Sequence, residues 1–245
     1  MSAKIGKTVS NIFSHVRERK SFLMPPIVNI ASSLSKESLG LAVKLLREGD
    51  IVSLPTDTVY GIAADAQNTR AIKKLYEIKG RAVTKPLAIC VGDPEDVGEW
   101  CNLSANVSND LLRALLPGPV TLVLERKTLL NSDLNPGISS VGIRVPDHPF
   151  IRAVAQKLGS PLALTSANKS SELSSLCITE FSDLWDSLGT VFDGGHLGGT
   201  DSSARQGSTV VDLVTPGHFK IIRPGCALQD TISILKSFGI LEYSS

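Results

Sequence analysis

The sequence predicts a single α/β domain with a mixed, twisted sheet flanked by helices. Three observations predict it. Short apolar runs alternate with longer segments whose apolar residues recur at helical spacing. Polar clusters fall where these segments end, the place α/β proteins use for ligand groups. Near the C-terminus two apolar runs are joined by Thr215-Pro216-Gly217-His218, a connection that favours an antiparallel hairpin over a parallel crossover.

The elements follow in order. After Pro26, residues Ile27 to Ala31 read as a first strand. Ser35 caps a helix with the inward stripe Leu39, Ala42, Val43, Leu45 and Leu46, and Gly49 follows its end. Asp50 to Leu54 is a strand that runs into a polar cluster. Asn68 or Thr69 caps the next helix, whose stripe is Ala71, Ile72, Leu75, Tyr76 and Ile78 and which ends at Lys79-Gly80. Leu87 to Val91 is a buried strand, Asn106 to Leu116 a helix and Val120 to Leu124 a strand. The second half repeats the alternation: strand Val141 to Val145, helix Pro149 to Leu158, strand Leu162 to Leu164, helix Ile178 to Leu188. A glycine- and serine-rich loop, Asp193 to Gly207, precedes strands Ser208 to Val214 and Phe219 to Ile222. A last helix spans Leu228 to Phe238.

Composition limits what such a domain does. The 245 residues suffice for one sizeable core, and 42% hydrophobic with 20% charged residues is ordinary for a globular chain. A net charge of +1 advertises neither nucleic acid nor membrane. Aromatics make up only 5% and do not interleave with basic runs, which argues against a stacking platform for single strands. No apolar run reaches the ~20 residues of a membrane span, so no integral membrane segment is expected. Cys90, Cys101, Cys177 and Cys226 form no CxxC pair and have no histidine at metal-ligand spacing, so no protein-held metal is expected. Residues 1–26 differ from the rest: Lys4, Lys7, Arg17, Arg19 and Lys20 stand against the single acid Glu18, with Ile5, Val9, Ile12, Phe13 and Val16 near helical spacing. This segment reads as a mitochondrial targeting leader or as a basic tail, giving a cytoplasmic or mitochondrial location, and residues 27–240 form the domain proper.

Three polar clusters carry the chemistry: Pro55-Thr-Asp-Thr-Val-Tyr-Gly61, Lys79-Gly80-Arg81, and Thr165-Ser-Ala-Asn168. Lys79 and Arg81, with Lys85 four residues on, suit a polyanion, because lysine offers a point charge and arginine a planar fork of donors. Read alone, they equally suit a solvated helix end. Thr56, Asp57 and Thr58 either hold a small polar ligand or satisfy their own turn. Ser166 and Asn168 either cap a helix or present a hydroxyl and an amide to a nucleotide. Arg144 and Arg223 lie at strand ends, where a buried guanidinium needs an anionic ligand or a protein carboxylate. No nucleophile–base pair, GxSxG elbow or GxxxxGK[ST] sequence occurs.

Together the pieces resemble the YrdC family of threonylcarbamoyl-AMP synthases. The resemblance runs in order through Leu54 to Gly61, Ile78 to Arg81 with Lys85 to Leu87, Leu116 to Leu122, Val141 to Pro146, Leu164 to Asn168, Gly207 to Asp212 and Ile222 to Gly225. It implies an enzyme that makes L-threonylcarbamoyladenylate and pyrophosphate from L-threonine, bicarbonate and ATP with Mg2+, with no tightly bound cofactor. A partner threonylcarbamoyl-transferase complex would then modify N6 of an adenosine in tRNAs reading codons that start with A, with at most weak tRNA contact by this chain. The resemblance assigns Lys79 and Arg81 to the phosphates as catalytic residues, with Lys85 in support. It assigns Thr58, Cys90, Arg144, Leu164 and Ser208 to threonine, Arg144 through the carboxylate. It assigns Arg81, Ser140, Ser166, Asn168, Ser174 and Arg223 to the nucleotide.

There are departures. Cys90 stands where some relatives carry histidine, and Lys169 to Ser175 lacks a glycine often seen after the Ser-x-Asn motif. The extra C-terminal domain of longer members is not expected here. Two competing readings are an RNA-binding or ribosome-assembly module of the same fold, and a carbamoyl-transfer domain like that of hydrogenase maturation proteins. Near-neutral charge and scarce aromatics argue against the first. The missing zinc-finger and acylphosphatase-like segments argue against the second.

Overall fold

The computed structural model describes residues 25–31, 34–80, 86–169, 172–199 and 205–243. The leader, but for Pro25 and Pro26, lies outside the described residues, as do Arg81 and Lys85.

The strands are β1 (Ile27–Asn29), β2 (Val52–Leu54), β3 (Gly61–Asp65), β4 (Ala88–Cys90), β5 (Cys101–Asn102), β6 (Val120–Arg126), β7 (Ser140–Arg144), β8 (Leu162–Ser166), β9 (Thr190–Asp193), β10 (Thr209–Asp212), β11 (His218–Arg223) and β12 (Leu241–Glu242). The helices are α1 (Lys36–Arg47), α2 (Thr69–Lys79), α3 (Val97–Trp100), α4 (Asn109–Leu115), α5 (Pro149–Leu158) and α6 (Leu228–Ser237). One sheet runs in the order β1-β9-β2-β3-β8-β4-β7-β6-β10-β11-β12, with β5 on the remaining length of β6. It is mixed: β4 with β7 and β6 with β10 are parallel, while β3 with β8, β4 with β8, β6 with β7 and β10 with β11 are antiparallel. The predicted fold class and the C-terminal hairpin are both observed.

Local chemistry explains the principal helices. Ser35 accepts from Ser38 N at 3.0 Å and starts α1, which buries Leu41, Ala42, Val43, Leu45 and Leu46. Asn68 accepts from Ala71 N at 3.1 Å and starts α2, and Gly80, at φ 53°, takes the left-handed turn that ends it. His148 Nδ1 caps Phe150 N, Pro149 fills the first turn, and Gly159 closes α5 at φ 77°.

Four strands differ from the sequence expectation. Gly61–Asp65 is a strand although its Gly-Ile-Ala-Ala-Asp sequence has weak β-propensity; it holds because both neighbours, β2 and β8, hydrogen-bond to it. Thr190–Asp193 pairs with β1 and β2 in parallel, and β5 and β12 are two-residue edge pieces. Ile178–Ser187 is a 3₁₀ segment kinked at Phe181, not an α-helix.

The alternation of side chains decides where a cavity opens. One face of the sheet carries Ile62, Ile89, Ile143, Leu122 and Val211 and packs into the larger core. On the other face, Val52, Leu54, Ala63, Leu162, Leu164 and Phe192 pack against α1 and α5. Those two helices cover β9, β2, β3 and β8 and reach β4 only at Cys90. Farther along the same face, Ala88, Gly142, Thr121, Val123, Val210 and Asp212 line a cavity instead.

Candidate active site

The cavity has a volume of about 430 Å³, within the range of small-molecule sites. Strand register sets its floor: Leu164 pairs with Ala88, Ala88 with Gly142, Gly142 with Val123 and Val123 with Asp212. The next rung carries Arg144 on β7, Thr121 on β6 and Val210 on β10, with Arg223 of β11 opposite Val210.

At this end stand two arginines. Arg144 is 7% exposed, and its Nη2 donates to Asp57 Oδ1 at 2.5 Å and lies 3.5 Å from Thr58 Oγ1. Arg223 Nη2 donates to Ser208 O at 2.7 Å and to Ser208 Oγ at 3.2 Å, and Ser208 Oγ is 2.9 Å from Thr121 Oγ1. Burial, and after it the charge of Arg144, hold the Arg223 guanidinium below the usual arginine range. Two cations thus face one part of the cavity, and Asp212 is the one carboxylate among its described lining residues. An anion placed there is favoured.

The Thr56–Val59 turn brings Thr58 to the wall. Thr56 Oγ1 accepts from Thr58 N and Val59 N at 3.1 and 3.2 Å and donates to Val59 O at 2.7 Å. The hydroxyl oxygens of Thr56 and Thr58 lie 3.1 Å apart. Both readings of this cluster hold together: it satisfies its own turn and lines the cavity. Tyr60 also lines it; its hydroxyl donates to Gly195 O at 2.7 Å and accepts from Gly194 N at 2.8 Å.

At the other end Ser166 lines the cavity with Ser140, Ser174 and Gln206. Lys79 is not among the lining residues. It is 3% exposed, and its Nζ donates to Ser166 O at 2.8 Å, to Asn168 O, and to Asn168 Oδ1 at 3.3 Å. Asn168 turns inward as well: its Nδ2 donates to Lys169 O and Glu172 O at 3.0 and 2.7 Å. Lys79 and Asn168 therefore build the turn that presents Ser166. The inward position of Lys79 was readable, since it falls three residues after Tyr76 and four after Leu75 on the stripe of α2. Arg205 ties the far rim, forking onto Glu180 at 2.8 Å twice and donating to Ser174 O at 2.7 Å.

Of the residues assigned to threonine, the structure brings Thr58, Arg144, Leu164 and Ser208 to one cavity. Cys90 is not in its lining. It is the register partner of Arg144, fully buried with the α1–α5 layer, and burial pushes its thiol up to about 12. Sequence reasoning gave no role to Thr121, Gln206 or Asp212. Thr121 and Asp212 are signalled by the alternation on β6 and β10; Gln206 carries no such signal.

A family model described as telomere recombination, covering Sua5, YciO and YrdC proteins, matches residues 44–225. The chain belongs to the Sua5/YciO/YrdC family. Threonylcarbamoyl-AMP synthase of Bos taurus is 53% identical over 206 residues, which cover 84% of this chain and 74% of the relative. The threonylcarbamoyl-AMP synthase of Bacillus subtilis is 35% identical over 210 residues, 84% of this chain and 59% of its own. Among solved structures, P. abyssi Sua5 complexed with L-threonine aligns with a TM-score of 0.77 at 27% identity, over 89% of this chain and 62% of that one. This chain therefore spans less than two thirds of the P. abyssi protein. Among its described residues no helix is long and apolar enough to cross a membrane.

Proposed function

We propose that this cavity binds L-threonine beside ATP and makes threonylcarbamoyl-AMP, so that the chain is an enzyme of nucleotidyl transfer. The observation that carries the reading is the pair of arginines, buried Arg144 and the more exposed Arg223, facing one cavity rimmed by Thr58, Ser208, Ser140, Ser166 and Ser174. The chemistry matches what such a lining supplies. Threonine's amine and bicarbonate give a carbamate with loss of water. A carbamate oxygen then attacks the α-phosphorus of ATP, forming the mixed anhydride as the bond to pyrophosphate breaks. This step needs alignment and charge neutralisation, not a covalent nucleophile.

Arg144 takes the threonine carboxylate, with Thr58, Leu164 and Ser208 around the rest. Arg223, Ser140, Ser166 and Ser174 face the nucleotide. Arg81 and Lys85, outside the described residues, are assigned to the phosphates. Lys79 acts from behind, holding the Ser166–Asn168 turn. The described residues contain no cluster of three His, Cys, Asp or Glu side chains, which suits a Mg2+ ion carried on the ATP phosphates and ligated otherwise by water. The adenylate then passes to a transferase complex acting on tRNA, in the cytoplasm or, if the basic leader is read by the import machinery, in mitochondria.

Mass spectrometry of the product from isotope-labelled threonine and bicarbonate with ATP tests the reading. Threonylcarbamoyl-AMP carrying both labels is expected. ATP turnover without a doubly labelled adenylate, or no turnover by the folded full-length chain, overturns it.

A further inference from the structure

We propose that Asp57 is a positioning residue for the amino-acid substrate: it grips the Arg144 guanidinium by one amino group so that the remaining donors meet the substrate carboxylate. The proposal rests on the reading of Arg144 as the carboxylate ligand.

Asp57 and Arg144 form an ion pair whose side chains are 9% and 8% exposed. Burying two charges costs more than an apolar pair of the same volume unless every donor and acceptor is satisfied. Here they are not: Asp57 Oδ2 and Arg144 Nε are both buried without a hydrogen-bond partner among the described residues. A half-satisfied buried network is the expensive arrangement, and it sits at the cavity wall, between Thr56 and Thr58, which both line the cavity. Arg144 Nε has no solvent exposure, so an incoming carboxylate would use the other donors of the guanidinium.

Without Asp57, little would hold that guanidinium. Its only other hydrogen bond among the described residues is to Thr58 Oγ1 at the 3.5 Å limit, and the charge of Arg223 lies close enough to act on it. Asp57 itself belongs to the self-satisfied Thr56–Val59 turn, so the grip is rigid. Its free oxygen has no solvent exposure, and Asp57 is not among the cavity-lining residues. It therefore acts through Arg144 and not by touching the substrate.

The test compares L-threonine with L-threoninol, in which an alcohol replaces the carboxylate. Calorimetric titration of the full chain gives the ratio of the two affinities, a measure of carboxylate recognition that a general loosening of the site would not move. Asp57→Asn keeps the shape and removes the charge; the ratio should fall by about tenfold or more, the worth of a charge-assisted hydrogen bond. A folded Asp57→Asn protein with an unchanged ratio overturns the proposal. Should that variant fail to fold, Asp57→Glu decides: it keeps the pair but displaces it by one methylene, so the ratio should fall about threefold, and an unchanged ratio again overturns the proposal. Arg144→Gln separates the underlying reading, because a retained ratio in that variant means that Arg144 does not bind the carboxylate at all.

Discussion

At one end of the cavity Arg144, Thr121 and Arg223 stand on strands, whereas at the other Ser174 and Gln206 stand on the chain between strands. Arg144, Thr121 and Arg223 inherit their positions from the β4-β7-β6-β10-β11 ladder, and the charge of Arg144 is met by Asp57. Ser166 is the last residue of β8 and Ser140 the first of β7, while Ser174 and Gln206 lie on no strand. That end is held by cations aimed at oxygen: Lys79 on the Ser166–Asn168 turn, and Arg205 on Ser174 O and Glu180. A ladder positions a side chain through backbone hydrogen bonds. A turn beside a ligand needs its carbonyls gathered, and a buried ammonium with three donors does this compactly.

The largest expected effect breaks or secures that contrast. Lys79→Met keeps the apolar stem and removes the ammonium, leaving the oxygens of Ser166 and Asn168 without a buried donor. Two or more orphaned acceptors cost about 3 kcal/mol or more, read as a lower urea midpoint, together with loss of ATP turnover. If turnover vanishes while the midpoint stays put, the ammonium serves phosphate and not the turn, and the difference between the two ends disappears.

A second variant probes the strand-built end. A Cβ on Gly225 would lie 2.3 Å from Ser208 C and Thr209 N, and these are backbone atoms that cannot step aside. Gly225→Ala should therefore cost about 1–3 kcal/mol through overpacking. It should also weaken threonine binding, because Ser208 carries the contacts of both Arg223 and Thr121. An alanine variant as stable and active as the parent would show that this end is less rigid than its ladder implies.

Much of this contrast could be read from residues alone, and the limits are physical. Helix α5 is found at its predicted bounds because Pro149, Gly159 and a clean apolar stripe all agree. Asn68 and Gly80 likewise mark α2. Strand β3 escaped because glycine and alanine predominate in it; its place is decided by partners distant in sequence. The convergence of Thr58, Arg144, Ser166, Ser208 and Arg223 on one cavity came from family resemblance, since no local pattern states which strand ends are neighbours. The carboxylate that meets Arg144 was visible as Asp57 within the first cluster, yet the pairing crosses 87 residues and no spacing rule reaches that far. Cys90 shows the opposite case. A position matched to a ligand residue elsewhere is here a buried apolar neighbour of the arginine.

The smallest effect belongs to the rim. Arg205 and Glu180 are 30% and 32% exposed, so their fork is screened and worth about 1 kcal/mol or less. The hydrogen bond from Arg205 is the main reason the Glu180 carboxyl is held down at about 2, below its ordinary 4.5. A carboxyl depressed by folding contributes stability above its unfolded value and loses it as pH falls through the folded one. The fork's contribution is thus whole at neutral pH and disappears between about 4.5 and 2. Glu180→Gln should lower stability slightly at pH 7 and not at pH 2, and comparison of the two urea midpoints at each pH measures it. The same variant should raise the KM for ATP more than that for threonine, because Arg205 also fixes Ser174 O, on the side assigned to the nucleotide. Equal shifts in both constants would mean that the rim supports the whole cavity, and that its two ends are not independently built.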